Sequence, residues 1–175
     1  NKRAIRDAMR RAANGEILWQ RLQAEAYGAR IGDAAPAPGV EAFFAFCVRR
    51  GIPLCVVSHK TAYSNLGESA VNLRTSAMEW LKARGLVGGS AHGIAPSSVH
   101  FEDTREAKVA RIGTLGITHF IDDLEETFEE PSFPKNVAKL LYAPEPSPRE
   151  DITTCATWDA LLERFRAQSG ANRRD

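Results

Sequence analysis

Short apolar runs that recur between helical stretches constrain this chain more than any other feature. Pro53-Leu54-Cys55-Val56-Val57, Val99 to Phe101, Ile117 to Ile121 and Lys139 to Tyr142 are all too short for helices of ordinary length. Around them, apolar residues return at helical spacing. Val40, Phe43, Phe44, Cys47 and Val48 precede the first run, and Val71, Leu73, Met78, Trp80 and Leu81 follow it. A helix from Trp158 to Phe165 closes the series. Strands alternating with helices predict an α/β fold with a mainly parallel sheet covered on both faces. The run ending at Val57 fits a strand buried on both sides. In such sheets ligands gather where strand C-termini open into loops.

Composition narrows the class further. The chain has 175 residues, 43% of them hydrophobic and 26% charged, which excludes global disorder, collagen and coiled coil. No apolar run approaches the roughly 20 residues of a membrane-spanning helix. Lys plus Arg number 23 against 22 acids, a balance that argues against general attraction to nucleic acid or membrane. Three widely spaced cysteines (Cys47, Cys55, Cys155) show no zinc spacing. Cys47 and Cys55 sit within apolar patterns and read as reduced core thiols, so a cytoplasmic location is expected. Oligomeric state is not encoded in any pattern here.

The N-terminal region differs from the rest. Ile5, Ala8, Met9 and Ala12 share one helical face, Asn14-Gly15 interrupts it, and a second helix is expected from Glu16 to Ala29 with Ile17, Leu18 and Leu22 inward. Ala34-Ala35-Pro36-Ala37-Pro38-Gly39 is a stiff connector. The expected organisation is a two-helix unit over 1–36, an α/β core over 37–168 and a flexible tail over 169–175. The basic residues Lys2, Arg3, Arg6, Arg10 and Arg11 read as a solvated helix side, and nucleic-acid contact is the weaker alternative.

Three places on the sheet segments carry candidate chemistry. Ser58-His59-Lys60-Thr61 directly follows the first strand, where a hydroxyl and neighbouring amides can bind a phosphoryl oxygen; the same Ser also reads as a turn starter. Asp122-Asp123 ends the strand His119-Phe120-Ile121. Two adjacent carboxylates repel unless a cation lies near, and Mg2+ favours one or two carboxylates completed by water and phosphate oxygens. An acidic helix start explains Glu125, Glu126, Glu129 and Glu130 equally well, but explains Asp122 poorly. Lys108 falls in the first turn of a helix opening at Asp103 or Thr104, where a cation opposes the helix dipole. Either its charge is used on a phosphate or it is a solvated lysine. His92, His100 and His119 read as structural, and no phosphate-binding glycine motif is present.

The order of these parts resembles the haloacid dehalogenase superfamily. Gly51-Ile52-Pro53-Leu54-Cys55-Val56-Val57-Ser58-His59-Lys60-Thr61, after Pro38-Gly39-Val40, resembles its second motif. Lys108 and then Thr118-His119-Phe120-Ile121-Asp122-Asp123 look like its third and fourth. The resemblance covers Pro38 to Pro144. It implies a three-layer Rossmann-like fold in which the N-terminal helix pair is a small cap. It further implies Mg2+-dependent phosphoryl transfer from a small phosphorylated metabolite through an aspartyl-phosphate. Ser58, His59, Lys60 and Lys108 would bind phosphate, Ser58 and Lys108 acting in catalysis, and Asp122 and Asp123 would hold Mg2+. A further acid is expected a few positions on, and Glu126 is the nearest in role. Trp19, Arg21 or Arg30 of the cap are expected to reach the substrate.

One part is missing. The family's first motif, an apolar strand ending in Asp-x-Asp, occurs nowhere in these residues; Asp7 falls on a helix and Asp33 in a loop. In the family that strand lies between the strands of the second and fourth motifs. The first residue is Asn, and segment 2–13 is of the kind that follows the motif. The expectation is an upstream strand that supplies the nucleophile, without which this chain is inactive. A rearranged sheet is the alternative architecture, and a catalytically silent binding module of the same fold is the alternative function. A dehalogenase or phosphomutase is a further possibility within the fold.

Overall fold

A computed structural model of the chain describes residues 2–63, 71–89 and 91–171. Helices α1 (Lys2–Arg10) and α2 (Gly15–Tyr27) form the expected hairpin. Its turn depends on backbone freedom. Asn14 takes the left-handed conformation at φ 59°, and a Cβ on Gly15 would fall 2.0 Å from the Met9 carbonyl oxygen. Arg10 then pairs with Glu16 across the turn. The side on which the hairpin packs differs from expectation. Ile17, Leu18 and Leu22 face outward at 42%, 43% and 40% exposure, with Ile5 of α1 at 52%, whereas Trp19 is buried. Helical periodicity identifies two faces without saying which one packs. Here the large Trp19 ring takes the inward position and carries its polar neighbours with it.

After the connector and a short 3-10 turn (Ile31–Asp33), the core begins with α3 (Val40–Arg49). It continues through β1 (Val56–His59), α4 (Leu73–Ala83), β2 (Val99–Glu102), α5 (Arg105–Thr114), β3 (His119–Asp122), β4 (Ala138–Tyr142), β5 (Ile152–Cys155) and α6 (Trp158–Ala171). All strand pairs are parallel, as the alternation predicts. They form two small sheets: β1 beside β2 with Val57 opposite His100, and β3-β4-β5 with Asp122 opposite Leu141. Among the described residues no ladder joins β1 to β3.

The two sheets nevertheless share their packing. Val56, Ile121 and Leu140 point into one apolar cluster with Phe43, Cys47, Leu161 and Phe165 from α3 and α6. Their chain neighbours Val57, Phe120 and Leu141 point into a second cluster with Val109 and Ile112 of α5 and with Phe128 and Phe133. Successive side chains of a strand face opposite ways, so helices cover both faces. Phe43 is the hinge of the first cluster, with ring centroids 5.3 Å from Trp158 and 5.1 Å from Phe165. Burying each such side chain stabilises the fold by roughly 1.5–3 kcal/mol. The three thiols are unpaired and packed, and burial pushes Cys47 up to about 11.

Several boundaries move. β1 starts at Val56 rather than Pro53 and takes in Ser58 and His59, because pairing with β2 begins opposite Val99. β5 is an addition; its two central threonines give it little apolar signal, although Ile152 and Cys155 are buried. Helix α4 opens at Leu73 behind Asn72, whose side chain accepts from the Arg74 and Thr75 amides, so Val71 of the expected apolar stripe precedes it. Helix α6 runs on through Ser169 to Ala171, and residues 172–175 of the expected tail lie outside the described residues. No helix among the described residues is long and apolar enough to cross a membrane.

Candidate active site

Three separate segments converge at the strand ends. β1 delivers Ser58, half-buried, whose hydroxyl has no hydrogen-bond partner among the described residues. Thr104 caps α5 by accepting from the Ala107 amide, which fixes where the helix begins and sets Lys108 in its first turn. β3 ends at Asp122, whose Oδ1 accepts from the Leu124 amide at 3.0 Å and so turns the chain at Asp123.

Lys108 and Asp122 are the buried charges of this region, at 8% and 7% exposure. The Lys108 Nζ donates to Asp122 Oδ2 at 2.5 Å. A cation near a helix start is unfavourable alone, and a buried carboxylate is worse. Each resolves the other's cost, at the expense of fixing both groups in one geometry. Lys108 is therefore not a solvated surface lysine. Nor is Asp122 a helix-start residue: the Glu125–Thr127 segment after it is only a 3-10 turn.

Ser58, His59, Lys60, Lys108, Asp122, Asp123 and Glu126 all line one cavity of about 620 Å3. Within it they divide. His59 lies at the rim, its Nε2 3.0 Å from the Asp103 carbonyl oxygen. A carbonyl can only accept, so the ring carries its hydrogen on Nε2. Burial lowers its pKa, with the Asp103 hydrogen bond opposing. The Lys60 amide donates to the Glu102 carbonyl at 2.8 Å and is thereby used in extending the β1–β2 pairing. Its ammonium stands 4.3 Å over the Tyr27 ring of α2. Arg74 braces this loop by donating to the Lys60 carbonyl and to the Asp103 carboxylate. The inner end is thus Ser58, Lys108 and the two aspartates, while Lys60 links it to the helical hairpin.

The opposite wall comes from the hairpin and includes Arg6, Glu16, Trp19, Gln20, Gln23 and Tyr27. Of the cap residues expected to face substrate, Trp19 lines the cavity, and Arg21 and Arg30 do not; Arg30 is held by Asp33. Arg105 is an addition on the core side. The missed signal is a spacing: positions 16, 20, 23 and 27 fall on one helical stripe, hidden because polar side chains form it. Among the described residues no three His, Cys, Asp or Glu side chains gather as a metal cluster. No family model, curated protein or solved structure matches this chain.

Proposed function

We propose that this chain belongs to a Mg2+-dependent phosphohydrolase of haloacid dehalogenase type, with the three-layer Rossmann-like core and small helical cap of that superfamily. The observation that carries the proposal is the convergence of Ser58, Lys108, Asp122 and Asp123, from three distant segments, on one cavity at the strand ends. The shared packing of both sheets, one apolar cluster on each face, supports a layered core.

In this reading the free Ser58 hydroxyl donates to a phosphoryl oxygen. Lys108, held by Asp122, supplies positive charge to the phosphoryl group without needing to reorganise. The donor set suits Mg2+ as a site completed by ligand and water. Each Asp122 oxygen has one partner, which leaves lone pairs on both, and Asp123 lies beside it on the cavity wall. When bound, the ion neutralises charge on the transferring phosphoryl group. The nucleophile is an Asp delivered by an extended segment pairing between β1 and β3, whose facing edges have no ladder between them among the described residues. The substrate is a small phosphorylated metabolite.

A second reading is a silent binding module of the same fold, in which Ser58, Lys108 and the two aspartates hold phosphate without turnover. Hydrolysis of a generic aryl phosphate by the complete protein separates the two. The enzyme turns it over only with Mg2+ and loses turnover in Asp123→Asn, while Ser58→Ala weakens it. A protein that binds orthophosphate with Mg2+ but gives no turnover is the binding module. Turnover unchanged by Asp123→Asn overturns the metal assignment.

A further inference from the structure

The two walls of the cavity differ in chemistry. Its inner end holds the Ser58 hydroxyl with Lys108, Asp122 and Asp123, and Lys60 and Arg105 line the core side beside them. Its cap wall is balanced: Arg6 pairs with Asp7 at 2.8 Å, and Arg10 makes two hydrogen bonds to the Glu16 carboxylate. Between these pairs the wall presents carboxamides and rings. Gln20 leans on Glu16 at 3.3 Å, and the side-chain carboxamide of half-buried Gln23 has no hydrogen bond among the described residues. Trp19 and Tyr27 flank them on the same stripe of α2.

Resting on the phosphohydrolase reading, we infer that the group carrying the phosphate is neutral and rich in hydroxyls: a sugar or polyol monophosphate. Its phosphate takes the inner end, its hydroxyls exchange hydrogen bonds with Gln20 and Gln23, and its carbon skeleton lies along Trp19 and Tyr27. Two competing classes fit less well. A second phosphate or a carboxylate meets arginines already neutralised, beside the Glu16 carboxylate, and loses hydration without gaining a free cation. A wholly apolar group leaves the Gln23 carboxamide covered and unpaired, which a site built for hydroxyls strongly rejects. The cavity volume falls within the range of small-molecule sites, roughly 300–1,000 Å3.

Calorimetric titration with Mg2+ present tests this through binding, using orthophosphate, glycerol phosphate, a hexose monophosphate, phosphoglycolate and phenyl phosphate. The hexose monophosphate is expected to bind roughly ten-fold or more tightly than orthophosphate, about one good hydrogen bond's worth of discrimination, and to outrank phosphoglycolate and phenyl phosphate. Gln23→Leu and, separately, Gln20→Leu are expected to reduce that preference and leave orthophosphate binding unchanged. Phosphoglycolate or phenyl phosphate binding as well as the sugar ester overturns the inference, as does an undiminished preference in both variants; either result leaves the phosphate site standing. Orthophosphate failing to bind in the unaltered protein instead overturns the phosphohydrolase reading beneath it.

Discussion

The core and the N-terminal hairpin use the same helical grammar to opposite ends. In α3, Val40, Phe43, Phe44 and Cys47 turn their apolar stripe inward and are buried, as their spacing predicts. In α2 the apolar residues Leu18 and Leu22 turn outward, and the inward stripe is Glu16, Gln20, Gln23 and Tyr27 around one buried tryptophan. A core helix is oriented by the area it removes from water. This cap helix is oriented by what it presents to a cavity. Apolar periodicity therefore reports a helix in both places but reports its direction only where the helix belongs to a core.

The contrast can be broken most forcefully at the buried Lys108–Asp122 ion pair. Lys108→Met or Asp122→Leu alone leaves an uncompensated charge in the core and is expected to destabilise the protein by about 3–5 kcal/mol in urea unfolding. The double variant should recover much of that loss, because no stranded charge remains. If the double variant is as unstable as the singles together, the pair is not what holds the two segments.

Next in size is a core truncation. Leu161→Ala, at a fully buried position of α6, is expected to cost about 2–5 kcal/mol by the same measurement. The matching substitution on the cap, Leu22→Ala, is expected to fall within about 0.5 kcal/mol, since it removes a side chain already 40% exposed. A large loss at Leu22 would erase the distinction between the two regions.

A smaller effect sharpens the comparison through pH. Burial lowers the pKa of His59 at the cavity rim and of His119, whose ring lies 5.1 Å from Phe165 in the core. For both, the unfolded chain takes up protons first on acidification. Their contribution to stability is present above the ordinary histidine value of about 6.5 and is lost as pH falls below it toward their folded values. Asp151 titrates lower still: hydrogen bonds from Arg149 and Lys139 hold its carboxylate well below the usual range. Its contribution is lost only as pH falls beneath the ordinary carboxylate value near 3.8. Unfolding midpoints between pH 7 and about 4.5 should therefore fall with acid, and the slope should flatten in a His59→Gln/His119→Gln double variant. An unchanged slope would mean that neither ring resists protonation.

Much of this molecule is legible in the chain because strands and core helices are read from apolar spacing. The run ending at Val57 and the run ending at Ile121 lead directly to Ser58 and to Asp122-Asp123, since parallel strands place their C-terminal residues at one edge. Lys108 can be picked out by its unfavourable place in a first turn, and Asp122 is the reason that place is tolerated. The Lys108–Asp122 bond itself is not legible, for 14 residues separate the partners and only the packing of α5 beside β1 and β3 brings them together. The cap wall is invisible for a different reason: a stripe of Glu, Gln and Tyr has no hydrophobic contrast. β5 escapes because Thr153 and Thr154 interrupt its apolar character, and what defines it is its pairing with β4.

The interval between β1 and β3 has a consequence in isotope exchange. Strand β4 is paired on both sides, by β3 and by β5, whereas among the described residues β1 and β3 each have one ladder. Deuterium should thus enter β1 and β3 amides on the side facing that interval long before it reaches β4, although all three strands lie between the same two apolar layers. Any strand that settles there will slow the clock on both borders at once, and the retardation will mark its presence without a structure being solved.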